Sequence, residues 1–152
     1  MNRIELEIAR RQLFLTATEC SKYVSETSEQ AWRRWEAGTR EVPRDVIERM
    51  TDLLRQKQEA ISVAIAEIND QRRKNLKPFC VWYKSHEDMP GKPSVIVWRL
   101  SQAVCGAMYE QYGVRVVPFE REKYLLWAFK SNLNDTKTNT KENHHAWLSR
   151  EI

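Results

Sequence analysis

The sequence has few of the residues that build common catalytic and metal sites. Its four glycines are isolated, so it contains no glycine-rich loop of the kind that cradles phosphate. Its histidines and cysteines lack the spacings of zinc sites, and three widely spaced cysteines (Cys20, Cys80, Cys105) favour small buried side chains over a disulfide framework. We therefore expect no enzyme activity, no metal and no cofactor, and we assign no catalytic residue.

Long apolar runs are also missing. No stretch approaches the roughly 20 apolar residues that span a bilayer. The N-terminal residues MNRIELEIAR alternate charged with apolar side chains and lack the apolar centre of a signal peptide. With 41% apolar and 30% charged residues among 152, the composition is that of a globular protein. These observations predict a cytoplasmic protein without a membrane partner.

The excess of positive charge is small and lies in the second half of the chain. The net charge is +4, but residues 1–73 contain 13 Lys and Arg against 13 Asp and Glu, whereas residues 74–152 contain 12 against 8. This balance permits binding to nucleic acid without requiring it. If the first half binds nucleic acid, it must do so through a local basic face.

Residues 28–37, SEQAWRRWEA, predict a helix with two unlike faces. At about 100° per residue, Gln30, Arg33 and Arg34 share one face, and Trp32 and Trp35 lie on the opposite one. Indoles suit close packing, whereas Arg and Gln can pair with the edges of guanine and adenine in a major groove. Periodicity alone also allows a solvated helix that binds nothing.

Polar side chains around this helix could hold the backbone of a nucleic acid. We predict phosphate contacts for Thr18, Ser28, Thr39 and Arg40. Glu29 would repel a phosphate unless it accepts a hydrogen bond from cytosine. Glu36 is expected to have a structural role, as a hydrogen-bond acceptor that holds the end of the helix.

The order of these motifs resembles the Cro/CI (XRE-type) helix-turn-helix family, through Leu15-Thr16, a short helix, a turn, Trp35-Glu36-Ala37-Gly38 and Pro43. A closer resemblance is to YdiL-like regulators and to the anti-CRISPR-associated autorepressors of phages. It rests on residues 28–38 together with Trp98-Arg99-Leu100-Ser101-Gln102-x-Val104, and it covers residues 3–120. One departure is the turn at 24–28, which lacks glycine and is one residue longer than the common Cro/CI turn.

The resemblance implies a sequence-specific transcriptional regulator. It implies a homodimeric repressor that places two copies of helix 28–37 on an inverted repeat of double-stranded operator DNA, and it suggests autoregulation. Two alternatives stay open. The helix-turn-helix could serve as the scaffold of an antitoxin-like protein-interaction module, or the same basic face could bind RNA.

Apolar periodicity along the whole chain predicts a mainly α fold. Helices are expected at about 3–14, 17–24, 28–37, 44–71, 95–112 and 120–131, and strands at 79–83 and 114–119. The first four helices would form a helix-turn-helix bundle with a long connecting helix. The first half of that helix would close the bundle, and its second half would meet either the C-terminal region or a second copy of the chain. A strand-helix-strand unit with parallel strands would come after it.

We therefore divide the chain into three parts. Residues 1–73 are predicted to form a DNA-binding domain, 74–120 a dimerisation region, and 121–152 a partly disordered C-terminal extension. Within the extension, the Asn/Thr/Lys-rich composition of 132–145 predicts disorder, with His144 and His145 exposed to solvent.

Overall fold

The computed structural model describes residues 1–133, 135 and 139–150. Its helices and strands come in this order: α1 (Arg3–Gln12), α2 (Ala17–Glu19), which continues into a π-helical segment (Cys20–Ser25), α3 (Glu29–Ala37), α4 (Arg44–Arg73), β1 (Phe79–Trp82), α5 (Val95–Tyr112), β2 (Arg115–Pro118), α6 (Arg121–Lys130) and α7 (Thr140–Ser149). The predicted class, mainly α with a small strand-helix-strand unit, is confirmed.

Caps fix where several of these helices begin and end. The Thr16 hydroxyl accepts a hydrogen bond from the N–H of Glu19, and the Glu19 carboxylate accepts one from the N–H of Thr16, which is the predicted capping box. Ser94 caps α5, and Gly113 ends it with a left-handed φ of 61°. Pro43 precedes α4, where its missing N–H costs no hydrogen bond.

The first hydrophobic core lies between α1, the α2–π helix, α3 and the first half of α4. Its largest fully buried side chains are Leu6, Leu13, Trp32 and Met50. Ile96 and Leu100 of α5 pack against the same core. The first half of α4 therefore closes the N-terminal bundle, as predicted.

The second half of α4 packs on α5 and the sheet. Ile61 and Ile68 are buried there beside Met108. β1 and β2 pair in parallel, with Phe79 opposite Arg115 and α5 as the crossover between them. Of the two surfaces considered for this half of α4, the structure places it on the C-terminal region, and the predicted parallel pairing is confirmed.

The C-terminal extension differs from its prediction. α6 forms as expected, but α7 occupies much of the segment predicted to be disordered, and Trp147 and Leu148 are buried. The prediction of an exposed His144 is wrong: its side chain is 4% exposed, stacks on Phe119, and makes a 3.0 Å hydrogen bond with the Tyr83 hydroxyl. Polar composition did not reveal these long-range aromatic contacts. Residues 134, 136–138 and 151–152 lie outside the described residues.

Three further expectations concern membrane-spanning helices, the cysteines and the domain boundaries. No helix in the described parts of the chain combines the length and apolarity needed to cross a membrane. All three cysteines are free, and Cys20 and Cys105 are buried, in line with their expected role as small hydrophobic side chains. The division into three domains stays a prediction, and contacts such as the ion pair of Arg99 with Glu19 cross its first boundary.

Candidate nucleic-acid interface

The inner face of α3 is held by its two tryptophans. Trp32 is fully buried and Trp35 is 6% exposed. Their rings meet edge to face, with centroids 5.7 Å apart, which is a favoured aromatic geometry. Because both indoles are anchored in the first core, α3 cannot rotate about its axis without exposing a large apolar side chain.

Glu36 links α3 to α1. Its carboxylate accepts hydrogen bonds from Trp32 Nε1 at 2.9 Å and from Arg10 Nε at 2.6 Å, and both charged side chains are largely buried. The hydrogen bonds from Arg10 to Glu36 raise the pKa of the guanidinium, although burial opposes this shift. The expected structural role of Glu36 is confirmed. Arg10 thus pairs with a carboxylate inside the protein and is not free to contact a phosphate.

The opposite face of α3 points to solvent. Gln30, Arg33, Arg34 and Ala37 are all exposed, as the helical period predicted. Within the described part of the chain, no carboxylate forms an ion pair with Arg34. The side chains of Arg34 and Gln30 are thus presented to solvent from a rigid helix, which is the geometry required to contact the edges of bases.

Three of the predicted site residues lie together at the start of α3. Arg33 donates a 3.0 Å hydrogen bond from Nε to Glu29, one turn earlier. Hydrogen bonds from Arg33 and, to a smaller extent, from the Thr18 hydroxyl lower the pKa of Glu29. The negative charge of Glu29 is therefore balanced by Arg33. Arg33 would have to leave this exposed pair before it could bind a base.

The residues predicted to bind phosphate are split between the two ends of α3. The Ser28 hydroxyl caps the first turn by accepting the N–H of Ala31 at 3.1 Å, and its own hydrogen remains available to a ligand. At the other end, the Thr39 hydroxyl donates to the carbonyl of Arg34 at 3.2 Å. Arg40 comes next, in an exposed loop. Ser28 and Arg40 therefore lie at opposite ends of α3, and both are exposed.

Two observations explain why glycine suits position 38, where α3 ends. Its φ of 77° lies in the left-handed region, where residues with a Cβ are strained. A Cβ at this position would also lie 2.6 Å from Cδ of Arg3. The sequence predicted the first reason, whereas the close approach of Arg3 depends on the fold.

The turn before α3 contains the main difference from the sequence-based description. Residues 20–25 are wound as a π-helix, which holds more residues per turn than an α-helix. Glu26 then adopts φ 52°, and the N–H of Thr27 donates to the carbonyl of Ser21 at 2.9 Å. The turn is one residue longer than the common Cro/CI turn, and the π-helical winding accommodates this additional residue. Tyr23, which was predicted to face inward, is instead 43% exposed, because the wider winding changes its direction.

Sequence reasoning missed the contact that fixes α2 to the second half of the chain. Arg99 of α5 donates to Glu19 from Nη2 at 2.7 Å and from Nε at 3.0 Å, and both side chains are largely buried. Glu19, in the capping box of α2, and Arg99, in the Trp98–Val104 motif of α5, each stand in a recognisable sequence motif. No local signal connects two residues 80 positions apart.

Comparison with known proteins identifies the family of this chain. The model of the Aca2/YdiL-like family matches residues 1–117. The chain belongs to this family. Among its relatives is the Aca2 repressor of Pectobacterium phage ZF40, 32% identical over 113 residues, which are 73% of this chain and 95% of the relative. The uncharacterized protein YdiL of Escherichia coli K12 is 26% identical over 110 residues, 72% of this chain and 93% of YdiL.

The extent of the match separates two parts of the molecule. The family region contains α1 to α5 and nearly all of β2, including every predicted site residue. The family assignment made from the paired motifs is confirmed. Helices α6 and α7 lie beyond the matched residues. The family match therefore carries no information about the role of these two helices.

Proposed function

We propose that the protein is a sequence-specific transcriptional repressor that binds operator DNA through α3 and acts in the cytoplasm without catalysing a reaction. The observation that carries the proposal is the anchoring of Trp32 and Trp35 on one side of α3, which turns Gln30 and Arg34 toward solvent on the other. One relative that covers most of the chain is named a repressor, and this supports the same function.

In the proposed complex, α3 enters the major groove in the manner of a helix-turn-helix. Arg33, Arg34 and Gln30 contact bases, with Glu29 either paired to Arg33 or accepting from cytosine. Thr18, Ser28, Thr39 and Arg40 position the helix on the backbone. A homodimer would place two copies of α3 about 34–36 Å apart on an inverted repeat. Occupying a promoter in this way would exclude polymerase, and the gene's own promoter is the first candidate.

The test is a mobility-shift titration with the DNA upstream of the gene. Wild-type protein should bind it with an affinity that falls steeply as salt rises. Replacing Arg34 by alanine should lower the affinity by roughly 5- to 150-fold, as loss of a base contact worth about 1–3 kcal/mol requires. Arg73→Ala is the matched control, because it removes the same charge from the far end of the 30-residue helix α4. Equal binding by the Arg34 and Arg73 variants would refute the groove assignment.

Selection of bound sequences from a random DNA pool tests symmetry and spacing together. An enriched inverted repeat would support paired half-sites. Light scattering after gel filtration should give twice the 18.1 kDa mass of one chain. A strict monomer at micromolar concentration would exclude the paired model but would leave binding to a single site.

A second candidate is an antitoxin-like or other protein-interaction module, with the helix-turn-helix as its scaffold. It is favoured by the exposed apolar side chains of α6, where Leu125, Leu126 and Phe129 are 51%, 57% and 82% exposed. This function predicts that Phe129→Ser abolishes capture of a protein partner while Arg34→Ala does not. RNA binding through the basic face of α3 is distinguished by competition between RNA and duplex DNA in the same titration.

A further inference from the structure

A cavity of about 400 Å³ lies between the loop after β1 and the C-terminal extension. Its size falls within the range of small-molecule sites. One wall comes from residues 87–92, and the other from the segment that begins at Phe119 and includes residues of α6 and α7. Because the family match ends at residue 117, the second wall is built by residues outside the matched region.

Part of the cavity lining carries carboxylates beside a buried histidine. Oδ2 of Asp135 lies 3.9 Å from Nε2 of His144, and Asp88 is also near enough to favour protonation of the ring. Burial nevertheless dominates and lowers the pKa of His144, so that the imidazole is neutral at neutral pH. The His144 imidazole therefore places no positive charge beside the carboxylates of Asp135 and Asp88 at neutral pH.

In the described part of the chain, the hydrogen-bond donors to Asp135 carry no charge. The Tyr124 hydroxyl donates to it, and the side-chain amide of Asn143 donates at 3.1 Å. Two cationic side chains, Lys92 and Arg121, also line the cavity, and Arg121 is paired with Asp88 at 3.0 Å. A ligand that brings an ammonium group to Asp135 would thus meet a carboxylate whose hydrogen-bond donors, among residues 1–133 and 139–150, are neutral.

The remaining lining is suited to an apolar body. Met89, Pro90 and Leu125 line the cavity, and the edges of Phe119 and Tyr124 close its inner end. Apolar walls with a few converging polar groups are typical of sites that bind small organic molecules. Together with the carboxylates, they select for a ligand that has an ammonium group at one end and a ring or branched hydrocarbon at the other.

A continuous set of hydrogen bonds leads from this cavity to α2. His144 bonds to the hydroxyl of Tyr83, whose carbonyl accepts from Gln102 at 3.0 Å. Gln102 accepts from Arg99 at 2.8 Å, and Arg99 holds Glu19 in the capping box of α2. This path, which crosses Tyr83 from its hydroxyl to its backbone carbonyl, connects His144 to the helix that packs against α3.

We propose that this cavity binds a small organic cation, an ammonium group on an apolar body of arylalkylamine size, and that occupancy changes the affinity of α3 for DNA through Tyr83, Gln102 and Arg99. The binding site stands on the cavity alone. The regulatory effect rests on the proposed function.

Titration calorimetry on the full chain tests the site with three probes that share one ring system: tryptamine, indole-3-acetate and 3-methylindole. Tryptamine should bind saturably and about ten-fold or more tightly than the anionic and the neutral probe. Asp135→Asn should weaken tryptamine at least ten-fold, whereas Asp52→Asn, which changes an exposed carboxylate on α4, should have no effect. Absence of saturable binding, or equal binding by the Asp135 variant, would overturn the site.

A second variant guards against misfolding of the extension. Leu125 is 51% exposed and lines the cavity, so that Leu125→Trp can fill the space from the surface without removing a buried contact. It should abolish tryptamine binding at an unchanged melting temperature. Tight binding by this variant would place the ligand elsewhere on the molecule and refute the assignment.

Coupling is measured by repeating the mobility shift with saturating tryptamine. The operator affinity of wild-type protein should change at least three-fold. Arg99→Lys, which replaces a two-pronged contact with Glu19 by a point charge, should bind tryptamine normally but lose this change. Operator binding that ignores tryptamine would refute the coupling alone. A protein that binds no DNA would refute the proposed function, and the calorimetry would still decide the site.

Discussion

Trp32 shows how much of the N-terminal bundle depends on a single side chain. Its indole is fully buried, and its N–H is satisfied by Glu36 at 2.9 Å, so that both the apolar ring and its polar atom have partners. A buried tryptophan usually finds a hydrogen-bond partner for its N–H, and Glu36 is that partner here. Shortening it therefore removes packing and also leaves the Glu36 carboxylate with one donor fewer.

Replacing Trp32 by alanine should lower the free energy of unfolding by roughly 3–5 kcal/mol, because a large cavity would remain in a closed core. Urea titration monitored by circular dichroism measures this loss. Arg34→Ala, two residues further along on the exposed face, should change stability by less than about 0.5 kcal/mol. Similar losses for both variants would contradict the assignment of an inner and an outer face.

Glu26 is a residue whose backbone conformation suits glycine better. It is exposed, and its φ of 52° lies in the left-handed region. Glu26→Gly should raise the free energy of unfolding by about 0.5–1 kcal/mol, because relief of steric strain exceeds the entropic cost of glycine. Glu41→Gly serves as the control, since Glu41 is exposed without a positive φ and should lose stability. Thermal denaturation of both variants tests the difference.

At the scale of elements, two ion pairs on α3 should differ in their contribution. The pair of Glu36 with Arg10 joins two helices and is largely buried, with side chains 14% and 16% exposed. The pair of Glu29 with Arg33 lies within one helix, and its side chains are 39% and 68% exposed. Solvent screens the second pair, whereas removing one partner of the first leaves a poorly solvated charge.

We expect Glu36→Met to destabilise the protein by about 1–3 kcal/mol, and addition of Arg10→Met to recover part of that loss. The corresponding double-mutant cycle at Glu29 and Arg33 should give a coupling energy below about 0.5 kcal/mol. Chemical denaturation of the two sets of variants provides the comparison. If the two coupling energies are equal, burial does not determine the strength of these pairs.

The elements differ in how well the sequence predicted them. α3 was predictable because its tryptophans and arginines follow the helical period, and α5 because Ser94 and Gly113 mark its ends. The inward direction assigned to Tyr23 was wrong, because the period of a π-helix leaves no signature in residue types. The sequence favoured the helix α6 and left open whether the apolar residues 146–148 dock. It did not predict α7, whose burial depends on contacts with Tyr83, Phe119 and Tyr124.

For the candidate site too, the sequence was sufficient to predict some features and not others. Exposure of Gln30, Arg33 and Arg34 follows from local periodicity, and the sequence was sufficient to predict it. The partners of these residues were not predictable in the same way. Glu29 could have been paired with Arg33 from their spacing of four residues, but the link from Arg99 to Glu19 requires knowledge of the tertiary fold.

For the molecule as a whole, the docking of α7 makes stability depend on pH. His144 is held between Tyr83, Phe119 and Tyr124, with Asp135 and Asp88 nearby. Burial lowers its pKa below the ordinary value of 6.5. The unfolded chain therefore takes up a proton at a higher pH than the folded chain, and stability decreases as the pH falls below 6.5.

Between about pH 7.5 and pH 5.5, wild-type protein should lose more stability than His144→Gln, which cannot bind the proton. His145→Gln is the control, since its side chain is exposed on the same helix and the variant should behave like wild type. Denaturant titration at both pH values measures the difference, and hydrogen exchange at residues 140–149 shows whether α7 loosens first. An equal loss for all three proteins would contradict a neutral, buried His144.

The widened winding at residues 20–25 also affects how this chain tolerates changes in length. An added residue there bulges the helix without displacing α3, whereas an added residue in a tight loop would swing α3 out of position. Deleting one residue from this segment should therefore restore ordinary winding and keep the Trp32 side of α3 seated.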